Sequence, residues 1–583
     1  MHLVPLRIRS WRPRTSARSA RAARSARSAR GRIAVAVVAL GAVGFGFGSG
    51  SASTGLVTFP AAGAAVHTAH RSAPRTLLVG TFHGRTGRYR TIQAAVNVAK
   101  PGDTILVGPG DYHTEDDLAH PPTSKQASLG DFGGILVTTP RLTIRGMNRS
   151  SVIVDGTKPG SAVPCDPAPT AQELGPPNRS GGHYGSNGIV VFKASTVWIQ
   201  NLTVCNYLSG TGSSGNEIWW DGGSGTGTIG LKGYWGSYLT ATTTYYGNPA
   251  VGPTYGIFAN GASGPAAWNQ IYASNFDDAG MYVGACQQVC DVTVSHAWME
   301  YNALGYSGTN SGGSVVIKSS RFDNNQDGFD TNTQIFSDPP PPQNGRCPRG
   351  KKSPITHTRS CWVFEHNLVE DNNNAHAPIA PGGYASAGPV GTGMTVSGGR
   401  NDTVMDNTFR GNDAWGVLFV PFPDRDRPFK GVTCASSGGH EINGLGCVYD
   451  PEGDALLGNT FSDNGSWKNP GNGDYGQITL FDHEPGNCYA GNSAPDGSVP
   501  SNLEASQPRS TCGTATQTSN TGGPLLAQVE CDTGFGSCPA GANYPKPSVT
   551  GVVLHPLPSG LPTMPNPCKG VPANEWCKGG KPI

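Results

Sequence analysis

The run Arg321–Gln334, RFDNNQDGFDTNTQ, sets two acids three positions apart around a Gly-Phe pair. If Phe329 points into a core from an extended strand, Asp330 points out. Asn332 and Gln334 then follow it, because side chains alternate along a strand. Asp327 falls at the corner before that strand, and the corresponding upstream corners hold Asn302 and the pair Asp277-Asp278. Outward oxygens on adjacent coils, about 5 Å apart, can share a hard cation such as Ca²⁺. Asp327, Asp330, Asn302 and Asp278 are therefore the expected metal ligands. The competing reading is structural, since Asp and Asn side chains cap the local backbone at tight corners.

A second group is aromatic. NEIWWDGG (Asn216–Gly223) carries Trp219 and Trp220, and Tyr234 and Trp235 follow closely. On a Gly-rich insertion these four rings form either a platform for sugars or an apolar patch lying on a wall. They are the expected substrate-binding set. FDHE (Phe481–Glu484) gathers two acids and a His, but reads as a terminal turn. His296, His366, His376, His440 and His483 do not recur at metal-ligand spacing, and His296 and His366 read as corner residues. Paired-acid glycoside hydrolysis needs two carboxylates at a defined separation, which Asp277/Asp278 with Asp327/Asp330 meet only loosely. No serine nucleophile elbow or phosphate-binding loop is present.

A repeat must position these residues. An aliphatic residue followed five positions later by a bulky apolar one recurs at Val197/Leu202, Ile271/Phe276, Val294/Met299, Ile317/Phe322, Val363/Leu368, Val404/Phe409 and Leu456/Phe461. From Phe276 through Met299 to Phe322 the step is constant, and Asn302, Asn325, Asn412 and Asn464 each stand three residues after the bulky position. A period of about 22–25 residues marks a solenoid. Its segments are short, branched and bounded by turn residues, hence strands. The 83 Gly suit many tight corners. The expected fold is all-β: a right-handed parallel β-helix with Asn side chains stacked at a corner. Four stretches break the period and are expected to leave as loops: Pro159–Gly185, Tyr207–Pro253, Asp338–Arg359 and His376–Thr392.

The stretch TIQAAVNVAKPGDTILVGPGDYH (Thr91–His113) resembles the opening of secreted right-handed β-helix proteins of the pectate-lyase-like superfamily. There an amphipathic helix caps the N-terminal end and a Pro-Gly-Asp turn enters the first strand. Here Ile92, Ala95, Val96 and Ala99 share one helical face, Pro101-Gly102 stops the helix, and Thr104–Val107 is a strand. The resemblance covers roughly Leu77 to Asp482. It implies a polysaccharide partner and Ca²⁺-assisted β-elimination, or epimerisation, of uronic-acid polymers. The Asp-Gly-Phe-Asp run is similar to calcium-binding aspartates of one lyase group at Asp327 and Asp330. That group has another Asp where this chain has Gln326, and an Asp near the place of Asn302. Its catalytic Lys has no clear counterpart, so Lys318 and Arg321 are the candidate basic residues, with Arg400 a further one. The other reading is a non-catalytic extracellular scaffold or adhesion β-helix.

Residues 1–53 read as a signal peptide, with ten Arg and no acid in the first 32 residues and an apolar run, Ile33–Phe47, short for a bilayer. The whole chain carries +2, so without those ten cations the remainder carries about −8 and no basic stripe for nucleic acid. The expected product is secreted, with no stable membrane span after cleavage. Residues 54–76 read as a flexible lead-in, 77–486 as the β-helix, and 487–583 as a Cys/Pro/Gly-rich segment packed on its C-terminal end. All 14 Cys follow the signal segment, as in an oxidised protein. Pairing of neighbours is one guess, and a zinc site at Cys286/Cys290 is a rival for that pair.

Overall fold

The computed structural model describes residues 73–583, except 115–133, 179, 212–213, 224–227, 248–250, 287–288, 336–342, 427, 429, 496–515, 518 and 520–522. The expected signal segment and nearly all of the lead-in lie outside the described residues, as does Cys512. The chain winds into a right-handed parallel β-helix. A 20-stranded sheet bends into two faces and a 10-stranded sheet forms the third. One coil shows the order. Gly313–Lys318 lies on the first face, Arg321–Asp323 on the second and Asp327–Asn332 on the third. Each pairs in parallel with the coils before and after it.

The core is a file of inward side chains. Val294, Ile317, Phe364, Val404 and Leu456 line one interior edge, and Met299, Phe322, Val369, Phe409 and Phe461 another, all in one cluster. Three of the seven expected pairs shift, the first because Ile199 and Val204, through Gly236 and Ala241, register with Trp268 and Ala273. In the fifth the inward residues are Phe364 and Val369, because Ile317 registers with Phe364 and Phe322 with Val369. In the second they are Trp268 and Ala273, which register with Val294 and Met299. Phe276 instead occupies the corner opposite Asn302, 26 residues on. The next rung is 23 residues further, at Asn325, so the constant step through Phe276 was a coincidence of residue types.

The Asn stack forms. Nδ2 of Asn302, Asn325, Asn372 and Asn412 each donates to Oδ1 of the next rung at 3.0–3.1 Å, ending at Asn464, whose Nδ2 donates to Asp474. A second stack, Asn367–Asn407–Asn459–Asn492, runs along the corner between first and second faces. The stack explains a column of glycines: a Cβ on Gly280 or Gly328 would lie 2.7 Å from the amide of Asn302 or Asn372.

Tyr207–Pro253 is not an excursion. It holds the third-face strand Asn216–Asp221 and the long strand Leu231–Thr242, which supplies the next coil's first and second faces. His376–Thr392 does leave as a loop and closes on the third face, where Gln326 donates to the Gly388 carbonyl. The helix Ile92–Val98, capped by Thr91, plugs the N-terminal end with Ile92, Ala95 and Val96.

The last hundred residues do more than cover an end. Cys488–Ala490 still pairs as a first-face strand. The helix Pro524–Thr533 packs on the side wall against Trp415, Leu418 and Ile478. The chain then runs back along the cylinder until Trp576 donates to the Arg85 carbonyl. Disulfides join Cys165–Cys205, Cys286–Cys290, Cys347–Cys361, Cys434–Cys447, Cys531–Cys538 and Cys568–Cys577. The 286/290 pair is thus a bridge and not half of a zinc site. No described helix is long and apolar enough to cross a membrane.

Candidate functional site

Outward positions of the second face form two columns that cross the coils. One reads Thr240, Tyr272, Trp298, Arg321, Leu368, Thr408, Thr460, and the other Thr242, Ser274, Glu300, Asp323, Glu370, Arg410, Ser462. Parallel pairing brings three acids from Glu300, Asp323 and Glu370 onto adjacent strands, about 5 Å apart. Their charge is organised in two layers. The carboxylates lie beneath, with Glu300 4% exposed and the side chains of Asp323 and Glu370 1% and 4%. Arg321 and Arg410 lie above them, 43% and 54% exposed.

Each acid has a distinct partner set. Glu300 accepts from the Tyr272 hydroxyl at 2.7 Å. Asp323 accepts from the Trp298 indole at 2.7 Å and meets Arg321 at 3.0 Å. Glu370 is held by Arg321 at 3.1 Å and by Arg410. The Arg321 guanidinium also lies over the Trp298 ring, 5.0 Å from its centroid. Burial pushes Glu300 up to about 7, opposed by the Tyr272 hydrogen bond and assisted by Asp323. Burial likewise raises Asp323 to about 6 against the pull of Arg321. A carboxyl that titrates near neutrality on a wall open to solvent can accept or deliver a proton.

Beside these columns a trench runs parallel to the axis. Its volume is about 630 Å³, lined by His296, Ser319, His366 and Asp406 at one edge and by Arg321, Leu368 and Thr408 at the other. The first four are equivalent corner residues of successive coils, all with φ near +50°. Lys318 sits next to this corner, on the first face between Ser295 and Glu365. Of the two expected basic residues, Arg321 is therefore in the wall and Lys318 beside it. Arg400 lies apart, paired with Glu452 at 3.0 Å.

Of the four expected metal ligands, Asp330 lies close enough to Asp327 to add to its rise from burial, Asp278 acts on Asp330, and Asn302 lies apart. Asp330 and Asp327 share the outer side of the third face, with Phe329 inward between them. Asp327 is sealed: one oxygen accepts from the Phe329 amide at 3.1 Å, the other from Thr395 Oγ1 at 2.7 Å, and burial raises it well above the carboxylate range. Asp330 accepts from Ser397 and is raised to about 7 by burial, with Asp278 adding to the rise. Asp278 accepts from Tyr255 at 3.0 Å. Asn302 is a rung of the corner stack, with its amide directed at Ala273, Glu300 backbone and Asn325. Ca²⁺ takes six to eight oxygens. Asn302 faces the interior and both Asp327 oxygens have protein donors, so this set does not fit such a centre. Among the described residues, carboxylate and imidazole atoms do gather at Asp111, His113 and Asp155. There His113 meets Asp111 at 3.1 Å and is raised to about 9 mainly by that hydrogen bond. It gave no signal in the sequence beyond strand-spaced polar residues.

The four aromatics separate as well. Trp220 and Tyr234 turn inward and pack with Trp268 in the core. Trp219 faces out on the third face, stacked on Phe258 at 5.3 Å, and Trp235 faces out on the first, stacked on Trp198 at 4.5 Å. Glu484 of the terminal turn accepts from His440 at 2.9 Å.

The architecture defines the class: a parallel β-helix. No protein-family description matches the chain, and no curated protein matches it. Among solved structures it is similar to the A-module of a mannuronan C-5 epimerase from Azotobacter vinelandii. Identity there is 12% over 74% of this chain and 95% of that one, with a TM-score of 0.38. An alginate lyase from Paenibacillus sp. str. FPU-7 matches at 11% over 73% and 97%, with a TM-score of 0.32. A pectate lyase matches at 13% over 85% and 90%, with a TM-score of 0.33.

Proposed function

We propose that this protein is an exported enzyme that acts on an anionic polysaccharide laid along the open second face, with Glu300 transferring the proton. The supporting observation is the two-layered wall, in which exposed cations lie over the buried Glu300, Asp323 and Glu370, the first two raised toward neutrality by burial. Arg321, Arg410, Lys318 and His366 offer positive or hydrogen-bonding tips to a uronate chain. The Trp298 ring gives it an apolar surface. The chemistry follows from that placement. The Glu300 carboxylate takes the proton α to a sugar carboxylate, whose developing charge Arg321 meets. Loss of the neighbouring glycosidic oxygen, which takes a proton from water, completes β-elimination. Delivery of a proton from water to the opposite side, with Glu300 passing its own proton to the hydroxide left behind, gives epimerisation. No step is routed through Ca²⁺.

The Glu300/Asp323 pair on adjacent strands supports a second reading, hydrolysis by two carboxyls about 5 Å apart. Incubation of the protein from residue 54 with polygalacturonate, alginate and related uronates separates the readings. Ultraviolet absorbance of an unsaturated uronate, lost in Glu300→Gln, supports elimination. New reducing ends without that absorbance support hydrolysis. A panel with no product and no change in uronate configuration sinks the enzyme reading and leaves a binding scaffold.

A further inference from the structure

The second face is open over only part of its length, and the boundary coincides with Glu300. Toward the N-terminal end its outward residues are covered: Thr203, Thr240, Thr242, Tyr272 and Ser274 are all buried. From Trp298 onward the leading column is part-exposed at Trp298, Arg321, Leu368, Thr408 and Thr460. The change falls between Tyr272 and Trp298, and the Tyr272 hydroxyl bonds to Glu300 across it.

The returning C-terminal segment makes this boundary. At the corner between second and third faces, His555 stacks on Tyr301 with ring centroids 3.7 Å apart. Its backbone is fixed at both groups by Asn275, which accepts at 3.0 Å and donates at 2.9 Å. Eight residues later Thr563 and Met564 bond to Asn201 at the opposite corner, at 2.8 and 2.7 Å. Between these anchors the segment crosses the second face. The buried Arg149 lies under it, donating to the Pro562 carbonyl at 3.0 Å and to Thr240 Oγ1 at 2.7 Å.

We infer that this strap closes one end of the substrate wall, so that the enzyme works from a chain terminus and not at internal linkages. The inference rests on Glu300 being the proton-transferring group. A polymer lying along the column Trp298–Thr460 meets the strap beyond Glu300, where His555 sits on Tyr301 and Asn275. Internal linkages have sugar on both sides of the reacting unit, and the strap leaves room on one side only. The face is three residues wide, about 10 Å, which disfavours a chain turning aside around the obstruction.

Two measurements test this. In the first, wild-type protein degrades a long uronate polymer while viscosity and product size are followed together. Release of mono- or disaccharide from the first turnovers, with viscosity falling slowly, is expected. Early collapse of viscosity with a broad range of oligomers overturns end-directed action while leaving the role of Glu300 intact. In the second, Glu300→Gln is titrated calorimetrically with uronate chains of increasing defined length. One protein per chain at every length is expected. Stoichiometry that grows with length, or no binding, overturns the inference whether or not turnover is ever detected. Absence of product in the first measurement with one-per-chain binding in the second sinks the catalytic reading alone.

Discussion

The second and third faces present the same backbone to solvent, and both carry outward carboxylates on their strands, yet different side chains and loops cover them. On the third face Asp327 lies under the His376–Thr392 loop with both oxygens hydrogen-bonded. Trp219, Phe258 and Tyr282 beside it cover one another. On the second face Glu300, Asp323 and Glu370 lie just beneath Arg321 and Arg410, with no described loop above them. The difference lies in what the rest of the chain lays over each face. Burial alone raises a carboxyl on either, but reactivity also needs a path to substrate.

The comparison breaks most directly at its acids. Glu300→Gln is expected to lower turnover by about 10²–10⁴-fold, the usual contribution of a positioned proton-transfer group, with thermal stability kept. Asp327→Asn is expected to leave turnover within about threefold, since no substrate path reaches it. Equal losses in the two variants would remove the distinction between the faces. Core packing serves both faces, so Phe329→Ala, in the inward file below Asp330, should cost about 3–5 kcal/mol in denaturant unfolding. Removing a rung by Asn372→Ala leaves neighbouring buried amide groups unpaired and should cost about 1–3 kcal/mol.

A smaller effect is set by pH. Glu300 rises from 4.5 to about 7, and Asp323 and Asp330 from 3.8 to about 6 and about 7, all through burial. Between the unfolded and folded values the native state holds more protons, so stability is full below about pH 4 and declines as pH rises through about 7. A melting temperature that climbs across that window would contradict the burial of these groups. Glu300→Gln should flatten the slope. The smallest effect expected is that of a chelator, which should leave turnover unchanged because Asn302 faces the interior and both Asp327 oxygens accept from protein donors.

Much of this was legible in the residue order. Val294/Met299, Ile317/Phe322 and the Asn three positions beyond identify the coil and one corner stack. The capping helix was readable from Ile92, Ala95 and Val96. Missed were the second Asn stack and the coil inside Tyr207–Pro253, since Asn407 and Asn459 stand three positions after the first residue of a pair and not after the bulky one, and Trp220 and Tyr234 look like surface aromatics until Trp268 packs on them. The second-face acids drew no attention because Glu300, Asp323 and Glu370 stand in unlike local contexts, 23 and 47 residues apart.

The sequence by itself determined the winding. Each coil's inward and outward residues follow from strand alternation, and each corner from Asn and Gly, all of which are local properties. Tertiary structure alone decided which outward residues matter. Pairing in the third dimension aligns side chains from distant coils into columns, and coil length varies too much for that register to be counted along the chain. Coverage is less local still: the segment that ends the open wall, His555–Met564, follows Glu300 by more than two hundred residues. Only folding places it beside Tyr301 and Asn201, because its anchors are hydrogen bonds to corners that exist once the cylinder has formed.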